Sequence, residues 1–227
     1  MTVLDEALLH RPYPGRGCLA AATADGVLWF VYFLTGRSPA SRSRDLHPVA
    51  GGDLQVRDTS DGAHDALRHY VAYARRGLWT VIGNGDQVVP LAEDLAGGAS
   101  ELIAWRRHDY EPDPPIYTPR IWMAQHASTP HVLAGWARRS NRGDGASEHG
   151  LLSIPALPPG AGVLLTTYDG TREDPRSSAT PLDVSVTADS GEQLLEQVWG
   201  RLDPDLRVAA VAVRPGQPAD TALLTHS

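Results

Sequence analysis

The sequence predicts a layered α+β domain, and three observations predict it. Short apolar, strand-like segments recur along the chain. Turn signals of hairpin length join most of them, and only a few stretches have helical spacing. The 227 residues, 42% of them hydrophobic, suffice for a sizeable core. No composition break divides them, so a single domain over 1–227 is expected.

Residues 19–24 and 27–34 read as two strands across Asp25-Gly26, because glycine accepts the positive φ of a tight turn. A polar, arginine-rich loop follows over 36–48. Residues 54–57 read as a strand. Residues 67–74 and 79–82 read as two more across Arg75-Arg76-Gly77, the first with a helical alternative. Helical spacing marks 88–95 and 100–107. Pro112, Pro114, Pro115 and Pro119 remove amide donors and fix φ, so 111–119 is expected to be a stiff loop. Strands resume at 120–124, 132–137 and 163–168, with Arg142-Gly143-Asp144-Gly145 as a turn and a polar loop over 171–181. A strand at 184–187 precedes the clearest helix, 191–202. Ser190 caps it, Gln193 completes a capping box, and Leu194, Leu195, Val198 and Leu202 form its apolar stripe. A closing strand is expected at 208–213.

Composition removes several function classes. All 20 basic residues are arginine. Without lysine there is no Schiff-base chemistry, no covalent pyridoxal phosphate and no Walker A loop. The single cysteine, Cys18, excludes a disulfide framework and a cysteine-based zinc site. It begins an apolar run, so a buried, inert thiol is expected. The nine histidines follow no metal-ligand spacing, so no metal is expected. A net charge of -7 points away from nucleic acid, and no stretch is apolar enough to span a membrane. The opening MTVLDEALLHRP lacks the basic-then-apolar order of a secretory signal, so the cytoplasm is the expected compartment.

Four segments carry candidate chemistry. Arg37, Ser38, Ser41, Arg42 and Arg44 lie within eight residues that contain no acid. Guanidinium forks and hydroxyls suit a phosphate monoester; a solvated basic loop is the plainer alternative. In Gly83-Asn84-Gly85-Asp86-Gln87, Asn84 and Asp86 can meet a ribose or a base, or Asp86 can simply cap the next helix. The proline-rich loop sets Glu111 and Tyr117 as a candidate base and proton donor, with Arg120 close behind. Its alternative is a connection whose carboxylates face water. Arg16 sits between Gly15 and Gly17, where an exposed turn is the plainer reading.

Together these segments resemble the IMP cyclohydrolase family of the archaeal type and its bacterial relatives. The resemblance rests on Tyr13-Pro14-Gly15-Arg16-Gly17, on the run from Tyr32 to Arg44, on Asn84-Gly85-Asp86-Gln87, on Tyr110-Glu111-Pro112-Asp113 and on Tyr117-Thr118-Pro119-Arg120-Ile121, in that order. Tyr168-Asp169-Gly170 resembles a further segment. Residues 45–66 and the tail after Tyr168 carry no such motif. The resemblance implies an Ntn-hydrolase-like, four-layer α/β/β/α sandwich with two central, mainly antiparallel sheets. It also implies closure of 5-formamidoimidazole-4-carboxamide ribonucleotide to IMP with loss of water, without metal or organic cofactor. The expected partner is a purine nucleotide carrying a phosphomonoester, and homo-oligomerisation stays open. On that reading Arg37, Ser38, Ser41, Arg42 and Arg44 hold phosphate, and Asn84 and Asp86 contact ribose or base. Glu111 or Tyr117 moves protons, and Arg16 or Arg120 stabilises the developing oxyanion. Three alternatives remain at this point: a divergent cyclohydrolase on a related nucleotide, an Ntn-like amide hydrolase using Cys18, and a nucleotide-binding protein without catalysis.

Overall fold

The structure, a computed structural model, describes residues 1–60 and 67–225. The chain opens with β1 (Thr2–Val3), α1 (Leu4–Leu9), β2 (Arg16–Ala22), β3 (Leu28–Thr35), α2 (Pro39–Arg42), β4 (Arg44–Pro48) and β5 (Leu54–Asp58). It continues with β6 (Tyr70–Arg76), β7 (Trp79–Gly83), α3 (Val88–Ala96), α4 (Glu101–Trp105), β8 (Arg120–His126) and β9 (Val132–Arg139). It closes with β10 (Ser147–Ile154), β11 (Ala161–Thr166), β12 (Leu182–Ser185), α5 (Gly191–Arg201), β13 (Arg207–Arg214) and β14 (Gln217–Thr225). The strands make two seven-stranded sheets, ordered β1-β12-β11-β2-β3-β13-β14 and β10-β9-β8-β7-β6-β5-β4. Every pairing is antiparallel except that of β1 with β12.

Strand alternation sorts the side chains into layers. Cys18, Phe30, Tyr32 and Val211 of the first sheet face Val56, Ile82, Ile121 and Met123 of the second. On the opposite face of the first sheet, Leu19, Val31, Phe33 and Ala210 pack under α1 and α5. Outside the second sheet, Val81, Trp122 and Ala124 pack under α3 and α4. The result is the expected four-layer α+β sandwich. Because both faces of each sheet are covered, central strands such as β3 are apolar along their length. Phe30, Tyr32 and Phe33 are fully buried, and each large apolar side chain buried in this way contributes about 1.5–3 kcal/mol.

The elements differ from the expectation in places. Residues 44–48 are strand β4 rather than loop, because Leu46 alternates into the inter-sheet core while Arg44 pairs with Asp58. The short helix α2 precedes it. Helix α1 and strands β10 and β14 were not expected, so the strand at 208–213 does not close the fold. The strand expected at 184–187 ends at Ser185. Ser190 caps α5 as expected, accepting from Gln193 N, but the Gln193 side chain accepts from Asp189 N instead of completing the box. Among the described residues, no helix is long and apolar enough to cross a membrane.

Registers place several termini at one end of the sandwich. Arg16 pairs with Leu34 and Thr166 with Gly17, so the start of β2 lies beside the ends of β3 and β11. Gly83 pairs with Trp122 and Tyr73 with Ile82, so the end of β7 lies beside the starts of β6 and β8. A hydrogen bond between the Tyr32 and Tyr70 hydroxyls, 2.6 Å long, ties the two sheets together.

Candidate active site

Arg16 opens β2 on the same face as Cys18, so its side chain enters the space between the sheets. Its backbone N–H donates to Thr167 Oγ1 at 3.1 Å. Its Nη2 donates to both carboxylate oxygens of Glu111, which the loop after α4 carries back into the sandwich. Arg16 is 9% exposed and Glu111 3%. Asn84, at the end of β7, fixes the carboxylate further. Its Nδ2 donates to Glu111 Oε1 at 3.2 Å and to Pro119 O at 3.0 Å, while its Oδ1 accepts from Ile121 N at 2.6 Å. Three segments far apart in the chain thus meet at one carboxylate.

Burial pushes the Glu111 carboxyl above the usual carboxylate range, and the facing Arg16 guanidinium opposes that rise. Burial acts most strongly against the Arg16 charge, but the charge and hydrogen bond of Glu111 together with the Tyr70 and Tyr168 phenols outweigh it, so the guanidinium keeps its proton. Arg16 Nε is buried and has no hydrogen-bond partner among the described residues. The pair therefore offers a proton acceptor of raised basicity next to a permanent cation with an unused donor. Those are the two functions an addition of N–H across a carbonyl requires.

Beside this pair runs a chain of hydroxyls. Asp113 accepts from Thr118 N at 2.6 Å and from Thr118 Oγ1 at 2.5 Å. Thr118 Oγ1 is in turn hydrogen-bonded to Tyr168 Oη. The Tyr168 ring stacks on Tyr13 with centroids 5.6 Å apart. Gly15 makes this possible: it holds a φ of +70°, and a Cβ there would stand 2.3 Å from Thr167 Oγ1 and 2.4 Å from the Tyr168 ring.

The arginine loop leaves β3 at the same end, where Thr35 N and Oγ1 both donate to Gly15 O at 2.7 and 2.9 Å. Its members separate by what they touch. Ser38 and Ser41 use their hydroxyls in a capping box on α2. Arg44 is buried and donates from Nε to Ser41 O at 2.7 Å and from Nη2 to Thr35 O at 3.1 Å, so it staples the loop. The Arg37 guanidinium has one long bond, 3.4 Å, to Arg172 O. That of Arg42 has no hydrogen bond or ion pair among the described residues.

Arg120 and Asp86 pair with each other at 2.5 Å, and Arg120 Nη1 donates to Asp109 O at 2.7 Å. The Arg120 side chain leaves β8 on the face of Trp122, its Nε is buried without a hydrogen-bond partner among the described residues, and its charge acts on Glu111. Tyr117 has a φ of 53°, a left-handed conformation that strains a bulky residue. Its ring meets Tyr110 edge-on, 5.6 Å between centroids, beneath the Arg139 guanidinium at 3.9 Å. No hydrogen bond joins Tyr117 to Arg16 or Glu111 among the described residues. Cys18 is fully buried between the sheets, and burial pushes its thiol upward. An open cleft of about 720 Å³ lies at the opposite end of the second sheet, lined by Leu78, Trp79, His126 and His131 among others. Among the described residues, no buried ion pair lies in its lining.

Sequence reasoning did not single out the Tyr32, Tyr70 and Tyr168 phenols, which act on the Arg16 guanidinium, nor the Thr118 hydroxyl bonded to Tyr168. One signal was present: a tyrosine inside an unbroken apolar strand, as in Leu-Trp-Phe-Val-Tyr-Phe-Leu, must find a partner for its hydroxyl once buried. The family described as IMP cyclohydrolase-like protein matches residues 13–217. No curated protein matches the chain.

Proposed function

Because the chain belongs to the IMP cyclohydrolase-like family, we propose that it closes 5-formamidoimidazole-4-carboxamide ribonucleotide to IMP with loss of water. The observation that carries this reading is the buried Arg16–Glu111 pair anchored by Asn84. An isolated buried ion pair is seldom a net source of stability, whereas here its two members match the two demands of the reaction.

The carboxamide nitrogen attacks the formyl carbon, and the new C–N bond forms as the carbonyl π bond shifts onto oxygen. An amide nitrogen is a weak nucleophile, so holding both groups in contact is the first contribution. Glu111 takes the proton the nitrogen loses. Arg16 donates to the formyl oxygen as negative charge grows there. Glu111 returns that proton to the oxygen, giving a hydroxyl on the new ring carbon. The former formamide nitrogen then gives up its own N–H proton, its electron pair forms the ring C=N bond as the C–O bond breaks, and the hydroxyl leaves with that proton as water. The atoms balance within the substrate, so no external oxidant or reductant enters. Arg37 and Arg42 hold the phosphate, and Ser38, Ser41 and Arg44 shape the loop that presents them.

The amide-hydrolase alternative needs an accessible nucleophile near a strand start. Cys18 is 0% exposed and its thiol is held protonated by burial, which weighs against it. Incubating the purified protein with the formylated ribonucleotide and following IMP absorbance tests the proposal. Turnover, unchanged by chelator, is expected. Formation of IMP no faster than in buffer would overturn it.

A further inference from the structure

The direction of each hydrogen bond in the Asp113–Thr118–Tyr168 chain follows from counting protons. The Asp113 carboxylate accepts from Thr118 N and from Thr118 Oγ1. A threonine hydroxyl has one proton, and Asp113 takes it. The bond between Thr118 Oγ1 and Tyr168 Oη must then be donated by Tyr168. The phenol's one proton is thereby committed away from the ion pair. What remains on Oη is lone-pair capacity, with no donor to it among the described residues. Burial pushes this phenol up to about 12, so it stays neutral. Its ring is 3% exposed and clamped against Tyr13. Arg16, Glu111 and Asp113 are the charged groups that act on it.

We propose that Tyr168 is a substrate-positioning residue, a fixed hydrogen-bond acceptor for an N–H of the nucleotide's carboxamide. The inference rests on the cyclohydrolase reading. That carboxamide carries two N–H groups in one plane. Glu111 receives one of these protons during the reaction, and Tyr168 holds the other N–H. Two acceptors in the amide plane leave the nitrogen's attacking orbital perpendicular to them, toward the formyl carbon. Asp113 and Thr118 touch no substrate; they set the direction of the Tyr168 hydroxyl.

Reversing that direction tests the role. In Asp113→Asn the amide Nδ2 can donate to Thr118 Oγ1, the Thr118 proton turns to Tyr168, and the phenol proton is released toward the substrate. An acceptor becomes a donor facing an N–H. Asp113→Asn and Tyr168→Phe should each lower kcat about tenfold to a hundredfold with KM little changed. The double variant should be no slower than Tyr168→Phe alone, since Asp113 acts only through Tyr168. Thr118→Val should lose rate likewise, and Thr118→Ser should recover most of it, which keeps the test decisive should the Asp113 variant fold poorly. If the wild type forms IMP while Tyr168→Phe and Thr118→Val keep its kcat, or the double variant shows additive losses, the positioning role is wrong and the function stands. A folded wild type that forms no IMP removes both.

Discussion

Arg42 and Arg44 stand two positions apart with the same side chain and opposite circumstances. Arg42 is half-buried with an uncommitted guanidinium, whereas Arg44 is buried and bonded to two backbone carbonyls. Arg42→Ala should therefore raise KM strongly with little change in Tm, by the roughly 1.5–3 kcal/mol of a charge-assisted contact. Arg44→Ala should lower Tm, because Thr35 O and Ser41 O lose their buried donors. Melting curves and KM for the two variants separate the roles, and equal Tm losses would contradict them. Cys18 gives a third residue-scale expectation. Its thiol is buried and pushed upward, so it should resist alkylation in the native protein, and Cys18→Ala should retain kcat at a cost of about 1 kcal/mol in stability. A folded but inactive Cys18→Ala protein would revive the amide-hydrolase reading. Composition suggested an arginine-bearing phosphate loop, but which arginines are committed depends on carbonyls of Thr35 and Ser41 that no residue pattern points to.

Elements were legible where a local rule decided them. Asp25-Gly26 marked the β2–β3 hairpin, and the positive φ of 80° at Gly26 is the reason it could. The stripe of Leu194, Leu195 and Val198 marked α5. Strand β10 was missed because its sequence, Ser-Glu-His-Gly-Leu-Leu-Ser-Ile, interrupts the pattern with a glycine. The reason lies on the neighbouring strand: Trp136 is paired with Gly150, and a Cβ there would stand 1.9 Å from the indole. Gly150→Ala should therefore cost about 1–3 kcal/mol through overpacking. Its kcat per folded molecule should match the wild type, since β10 lies outside the site. An unchanged Tm would show that Trp136 has room to move. Strand β4 was hidden for a different reason, its single core residue Leu46 lying among polar neighbours.

At the scale of the molecule, the sandwich brings loops from both sheets to one end and closes them over a carboxylate. The layered class was readable because short apolar strands recur, hairpin-length turns join most of them and helical spacing is confined to a few stretches. The meeting of Arg16 with Glu111 was not, because they are 95 positions apart and only the registers of two sheets bring them together. That pair is the centre of the account, and its acid–base behaviour is the most direct test. Glu111 must be ionised to accept a proton, and burial raises its pKa. The acid limb of kcat should therefore lie above the roughly 4.3 of an ordinary glutamate, with activity lost as pH falls through it. The decisive measurement is kcat for IMP formation against pH in the wild type and in Glu111→Gln. The account predicts a fall of about 10²–10⁴-fold in the variant at neutral pH, with KM little changed and the acid limb gone. A folded Glu111→Gln protein that keeps the wild-type kcat and the same acid limb would contradict it.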